Sequence, residues 1–307
     1  LSEFVSVIVP AYNSASFILD TLRSIQGQTH QHFECLICDD GSNDGTKDVV
    51  WDFARTDKRF QLHRQAENKG VAYTRNRGVS SSNADIIAIC DSDDYWYPKK
   101  LEEQLQCLKA SNADLVFSLC EVKNPGGRTA RVYPGGIKED MFKREAFVRA
   151  LRFNVAVCGS NILWRKSAIS PYKRFSRKLC PADDWDFLLW AARYCKVAFC
   201  PQYHVRYQRR EESITGVHPH LPDLYLGVLQ SWATRATWEE WKQWERLQSW
   251  ATLLQSTLYP VYRTMNTPYD TNWEKQADYF RLQSESNKQY AKDVQKELIK
   301  ARRSYAR

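Results

Sequence analysis

The stretch Ile86-Ile87-Ala88-Ile89-Cys90-Asp91-Ser92-Asp93-Asp94-Tyr95-Trp96 runs an apolar segment straight into three carboxylates within four positions. The apolar half lacks the alternation of a half-exposed strand and reads as one buried on both faces. Carboxylates gathered at its end repel one another and call for a positive partner. The same arrangement occurs twice upstream. Val5 to Val9 ends at Pro10-Ala11-Tyr12-Asn13, and Phe33 to Cys38 ends at Asp39-Asp40-Gly41-Ser42.

Helical patterns lie between these strands. Phe17, Ile18, Leu22 and Ile25 recur at helical spacing with Gly27 beyond them, and Thr46 to Arg55 and Tyr73 to Ser80 read as two more helices. Phe60 to His63 is a short third strand and Asp85 to Cys90 the fourth. Strand and helix alternating in this way predict an α/β fold, a mostly parallel sheet flanked by helices. Ligands bind such sheets outside the carboxyl ends of the strands, so the three polar clusters converge on one crevice. Further on, the spacing predicts a helix over 98–109, a strand over 114–119 and a loop over 124–136. A strand over 160–164 and a helix over 184–194 follow. From about Leu221 the pattern turns to long helices rich in Trp, Gln and Lys, which makes 221–307 a C-terminal helical extension.

Composition narrows the classes. A chain of 307 residues with 43% hydrophobic and 13% aromatic content is globular, not disordered. No apolar run approaches the ~18 residues that cross a bilayer. Phe4 to Pro10 is too short for a signal-peptide core. The net charge of +8 suits phosphate-bearing substrates or a membrane surface. Nucleic acid is not an expected partner, since zinc-finger spacing, RNA-binding aromatic motifs and a dense basic arm are all missing. Nine scattered cysteines read as reduced, buried thiols.

On an extended segment Asp91 and Asp93 project to the same side. Two hard carboxylates there suit Mn²⁺ or Mg²⁺, which keep room for water and phosphate. A polar turn closing a strand is the other reading of so short a pattern. Calcium-binding loops fail: one starting at Asp40 has Trp51 at its twelfth position, and one starting at Asp91 has Trp96 in place of the turn glycine. A phosphate loop and a G-x-G-x-x-G fingerprint are absent.

Four motifs in series, VSVIVPAYN from Val5, CDDGSNDGT from Cys38, ENKGVAYTRNRG from Glu67 and CDSDDYWYPKKL from Cys90, resemble family 2 glycosyltransferases of the GT-A (Rossmann-like) fold. The resemblance is strong over the first 110 residues and weaker to about 216. It implies a catalytic domain over 1–220, with a nucleotide-binding half (1–110) and an acceptor-binding half (111–220). By position, Pro10, Ala11, Tyr12 and Asn13 resemble the start of the nucleotide site, and Asp40 the carboxylate that reads uracil. Arg75 falls near the diphosphate, and Asp91-Ser92-Asp93 matches the metal motif, with Asp93 the direct ligand and Asp91 near metal or ribose. In CPADDWDFLLWAARY from Cys180, the pair Asp183-Asp184 matches a Glu-Asp pair before a helix. This makes Asp184 the general base of an inverting transfer, against the alternative of an acid that stabilises a helix start. In YQRREESITG from Tyr207, Arg209 and Arg210 stand where many relatives carry His. They are expected on the diphosphate or an anionic acceptor, with a solvated basic loop as the alternative.

The resemblance thus implies a metal-dependent inverting transferase. It would move a sugar from a nucleotide donor, a UDP-sugar, to a glycan or lipid-linked saccharide in surface polysaccharide biosynthesis. A polyprenyl-phosphate sugar synthase and a non-catalytic nucleotide-binding assembly subunit are the alternatives, and an oligomer is compatible with the sequence. Trp238, Trp241 and Trp244 form a stripe at steps of three, and Lys288, Lys292, Lys296 and Lys300 recur every four residues. Packing and a solvated helix face explain them. The sharper expectations are a platform for an acceptor sugar on the tryptophans, or a peripheral contact at the cytoplasmic face of a membrane, for a protein expected to be cytoplasmic.

Overall fold

The structure is a computed structural model and describes residues 3–123, 129–132, 140–141, 150, 158–208, 210, 228 and 232. The chain divides into two compact units, Leu1–Ala150 with Asn154–Glu211, and Leu151–Phe153 with Glu212–Arg307. The fold and the site lie in the first. The tryptophan stripe, the lysine repeat and Arg209 fall outside the described residues.

The first half alternates as its sequence pattern requires. Its elements are β1 (Val5–Ala11), α1 (Ile18–Gln26), β2 (Phe33–Asp39), α2 (Thr46–Thr56), β3 (Phe60–Arg64), α3 (Val71–Ser81) and β4 (Ile86–Ile89). Then come β5 (Tyr95–Trp96), α4 (Lys100–Ala110), β6 (Leu115–Lys123), β7 (Thr129–Val132) and β8 (Asp140–Met141). A 3₁₀ turn over Gly159–Asn161 leads into β9 (Ile162–Arg165), α5 (Lys166–Ile169), α6 (Asp183–Tyr194) and β10 (Val197–Gln208).

One sheet of order β3-β2-β1-β4-β9-β6-β10-β5 runs through the unit, with β7 on β6 and β8 on β10. The strands from β3 to β4 pair in parallel, and antiparallel pairs enter with β9. Every residue of β1, β2 and β4 is buried, as expected of strands covered on both faces. The chain winds outward from β1 to β3 and returns to the other side of β1 at β4. The strand order therefore reverses at β1, which opens a crevice at the carboxyl ends of β1 and β4. Helix α3 closes tightly over this point. A Cβ on Gly78 would stand 2.4 Å from Ile8 Cγ2, so a larger residue forces the helix off the sheet, an overpacking cost of about 1–3 kcal/mol.

Three expectations are corrected. The 124–136 stretch is not loop throughout: Thr129–Val132 pairs antiparallel with Cys120–Lys123. The sequence holds the signal, since Pro125-Gly126-Gly127 precedes a short β-compatible run. Strand β9 begins at Ile162 instead of Ser160, because Ser160 and Asn161 turn inward, Asn161 Nδ2 donating to the Ser118 carbonyl at 2.6 Å. The twelve-residue β10 has no counterpart in the sequence reading. Pro201 interrupts its pattern, and its pairing with β6 shifts register at Cys200/Tyr203 and again at Tyr203/Val205.

Candidate active site

Asp91–Asp94 is a turn, not an extension of β4. The Asp94 amide donates to the Asp91 carbonyl at 3.0 Å, so the alternation argument for Asp91 and Asp93 does not apply. The two carboxylates still converge. Burial, then the neighbouring Asp91 charge, pushes the Asp93 carboxyl up to about 6. Asp94 is wholly buried: Ser160 Oγ donates to its Oδ2, and the Gln208 amide to its Oδ1 at 3.3 Å. It ties the turn to the second half of the sheet.

Part of the positive charge that the aspartates call for is resident. Arg75, on the buried face of α3, donates from Nη2 to both Asp91 oxygens at 2.8 and 2.9 Å and from Nη1 to Asp183 Oδ2 at 2.8 Å. Burial opposes its charge, but Asp91, Asp183 and Asp184 outweigh burial and raise its pKa. One guanidinium thereby joins residues 75, 91 and 183 into one site, bringing the turn after β4 against the start of α6.

That helix start carries three acids. Asp183 is 0% exposed and committed to Arg75. Asp186 is paired with Lys173. Asp184 is partly exposed, and its Oδ1 accepts the Trp185 amide at 2.7 Å. Burial, then the Asp183 charge, pushes the Asp184 carboxyl up to about 7, the range in which a carboxylate can accept a proton at neutral pH.

The other rim of the crevice is built at the ends of β1 and β2. Pro10 and Ala11 are buried in β1, and the Ala11 carbonyl accepts the Asp40 amide at 2.8 Å. Tyr12 is 47% exposed. Asn13, at φ 48°, donates its amide to Ser42 Oγ at 2.9 Å, and its Oδ1 accepts the Asn43 amide at 3.1 Å. Asp40 is nearly buried, its oxygens accepting the amides of Lys69 at 2.8 Å and Gly70 at 2.9 Å. Gly41, at φ 78°, lets this loop approach, since a Cβ there would stand 3.0 Å from the Glu67 backbone.

Among the described residues no three His, Cys, Asp or Glu side chains gather to hold a metal. The donor set suits an ion of the Mg²⁺ or Mn²⁺ type, which takes one or two carboxylates and leaves positions for phosphate. Asp91 is engaged by Arg75, so Asp93 is the carboxylate less committed to a cation. Arg210 Nε lies 3.8 Å from Asp93 Oδ2, with its guanidinium 3.7 Å from the centre of the Phe17 ring.

The family profile described as Glycosyl transferase family 2 matches residues 6–172, more than half of the chain. The chain belongs to this family. It is 38% identical over 114 residues, 37% of its length, to TuaG of Bacillus subtilis (strain 168), a glycosyltransferase named for teichuronic acid biosynthesis. It is 35% identical over 120 residues, 39% of its length, to the Escherichia coli UDP-Glc:alpha-D-GlcNAc-diphosphoundecaprenol beta-1,3-glucosyltransferase WfgD. The matches cover 45% of TuaG and 47% of WfgD, so the chain spans less than half of either relative. A solved structure of the Pyrobaculum calidifontis mannosyltransferase PcManGT, in complex with GDP-Man and Mn²⁺, superposes with a TM-score of 0.62 at 17% identity, covering 98% of this chain and 86% of that one. The fold is therefore GT-A, as the motifs imply.

The candidate site is also built on residues that motif reading missed. Ser160 Oγ accepts the Asp91 amide at 2.8 Å while donating to Asp94, and the Ser160 carbonyl accepts Trp96 Nε1 at 3.1 Å. Thr21 Oγ1 bonds the carbonyls of Ser92 and Asp94, each at 2.8 Å, and Ser14 Oγ lies 2.9 Å from Ser92 Oγ. These small hydroxyl residues leave no periodic trace in the sequence. Their signal lies only in being polar where a buried apolar residue is the default.

Proposed function

We propose that this family 2 glycosyltransferase is a metal-dependent inverting enzyme. It moves a sugar from a UDP-linked donor to a glycan or lipid-linked saccharide acceptor of a cell-surface polysaccharide. The observation that carries this reading is the Arg75 bridge between Asp91 and Asp183. It joins a carboxylate turn suited to a metal–diphosphate with a helix start suited to proton transfer. The base lies beyond the family match, so its assignment rests on that geometry and not on the profile.

In this reading Pro10 to Asn13 border the nucleoside, with the exposed Tyr12 available to the base. Asp40 Oδ1 already accepts from the Lys69 amide and from Gln65 Nε2, so the uracil imide N–H is accepted by Oδ2 through the lone pair left beside the Gly70 amide. Asp93, with Asp91 beside it, would hold Mn²⁺ or Mg²⁺, which when bound supplies Lewis-acid stabilisation of the diphosphate. Arg75 and Arg210 add fixed positive charge near the aspartates, and the sequence-based assignment of Arg209 to the diphosphate or an anionic acceptor is kept with them. Asp184 takes the proton of the acceptor hydroxyl as that oxygen bonds to the anomeric carbon. The bond from that carbon to the diphosphate oxygen breaks, and its electron pair leaves with the diphosphate. The donor name carried by WfgD supports uridine and its acceptor name supports a lipid-linked saccharide. The PcManGT complex supports the metal. The division into a catalytic region over 1–220 and a helical region over 221–307 belongs to the same proposal.

Calorimetric titration with a panel of UDP- and GDP-sugars, with Mn²⁺ and with chelator, tests it. Binding of a UDP-sugar that requires the metal is expected. Selective GDP-sugar binding overturns the donor assignment, and tight binding and turnover in chelator overturn the metal assignment.

A further inference from the structure

The segment from Arg165 to Lys178 contains six Lys and Arg residues and neither Asp nor Glu. Three of the six are satisfied locally, Arg165 Nε by donating to the Ala113 carbonyl at 3.4 Å. Lys173 pairs with Asp186 on α6, and Lys166 Nζ donates to the Ser82 carbonyl at 2.8 Å. Arg174, Arg177 and Lys178 are exposed and have no acidic partner among the described residues. The Arg177 guanidinium lies 5.5 Å from the centre of the Tyr73 ring on α3, and the same segment contributes Tyr172 to a run of aromatic rings. Tyr172, 75% exposed, stacks on Trp190 with centroids 6.4 Å apart and an interplanar angle of 15°. Trp190 packs on Tyr194, 48% exposed, at 5.3 Å. The Arg193 guanidinium lies 5.7 Å from the Tyr194 ring centre.

We propose that this patch docks the protein on an anionic phospholipid surface. Cations with long aliphatic stems beside Tyr and Trp match the chemistry of a membrane–water interface, where phosphates pair with the charges and amphipathic rings sit at headgroup depth. The rings pack on one another, with Trp190 between the two tyrosines. Such packing disfavours the open-faced stacking that a sugar platform needs and suits shallow insertion. Vesicle binding requires neither donor nor turnover, so it is measured independently of the reaction. Its consequence for acceptor access does rest on the function proposed above. Tyr194 is ten residues along α6 from Asp184, about 15 Å of helix rise, so a docked surface holds the base within reach of a substrate carried at the headgroups.

Co-sedimentation of the full chain with phosphatidylcholine vesicles, with and without phosphatidylglycerol, tests this. Binding only to the anionic vesicles, weakening with salt, is expected. The triple variant Arg174→Glu, Arg177→Glu, Lys178→Glu should lose about a hundredfold in partitioning, the sum expected for three surface cations. The pair Tyr172→Ser, Tyr194→Ser should weaken binding with little change in its salt dependence. Arg174→Lys with Arg177→Lys retains the charge and should retain binding, which separates docking from misfolding. Absence of binding to anionic vesicles overturns the proposal, as does undiminished binding by both the charge-reversed and the tyrosine variants. So does transfer of the whole effect to Lys288→Gln, Lys292→Gln, Lys296→Gln, Lys300→Gln. Capture by a soluble polyuronate in place of vesicles overturns it in favour of a glycan partner.

Discussion

Two clusters of three aspartates meet at Arg75, one in the turn after β4 and one in the first turn of α6. Their internal division is the same. In each, one member is bound to Arg75 (Asp91, Asp183) and one is consumed by structure (Asp94 by Ser160 and Gln208, Asp186 by Lys173). The third, Asp93 or Asp184, is left with a carboxyl raised to about 6 or about 7. The difference lies in what surrounds the third. Asp93 sits beside another carboxylate with Arg210 at 3.8 Å, a concentration of negative charge that a divalent ion relieves. At Asp184 burial acts first and the Asp183 charge second, and the raised carboxyl is poised to take a proton near neutral pH. In the proposed function the same residue type would serve two chemistries because its neighbours are committed differently.

The comparison breaks first at the group both clusters share. Arg75→Met leaves the buried Asp183 and the part-buried Asp91 without a counter-charge and should cost about 3–5 kcal/mol of stability by urea unfolding. A loss below 1 kcal/mol would mean that the bridge is not what holds the clusters together.

The two remaining aspartates should then part company. Asp93→Ala is expected to lower kcat/KM about a thousandfold and to abolish metal-dependent donor binding, because several kcal/mol of charge stabilisation leave with it. Asp184→Asn should lose about a hundredfold to a thousandfold in transfer while its donor dissociation constant stays near wild type. If both variants lose donor binding equally, the division of labour is wrong. The pH profile sharpens it further. Below about pH 7 Asp184 holds a proton and cannot accept another, so kcat/KM should climb through neutrality and level off above it. A profile flat across neutral pH removes Asp184 as the base.

Much of this division could be read in the sequence, and the unread part has physical causes. Apolar runs ending in polar clusters located β1, β2 and β4, since strands buried on both faces need no alternation to be recognised. The pairs Asp91/Asp93 and Asp183/Asp184 were legible as motifs. Their joint counter-ion was not, because Arg75 reaches Asp183 across 108 sequence positions and no periodicity records such a contact. Strand β10 was lost for a local reason, Pro201 and two register shifts breaking its pattern. Asp91–Asp94 was misread as extended because a turn and a strand end share the same polar composition. What folds the turn lies elsewhere, in Ser14, Thr21 and Ser160.

Ser160 gives the smallest of these effects and the most selective. Its hydroxyl is the link between the two halves of the turn, accepting from the Asp91 amide and donating to the Asp94 carboxylate. Ser160→Ala removes both bonds without adding bulk and leaves one buried donor and one buried acceptor weakened, a cost of about 1–3 kcal/mol. The loss falls on the metal-side cluster alone, since Asp183 and Asp184 keep their own partners. Apparent affinity for Mn²⁺ should therefore fall in the variant while the pH limb set by Asp184 stays where it was. A shift of that limb with unchanged metal affinity would show that the two clusters are coupled through more than Arg75.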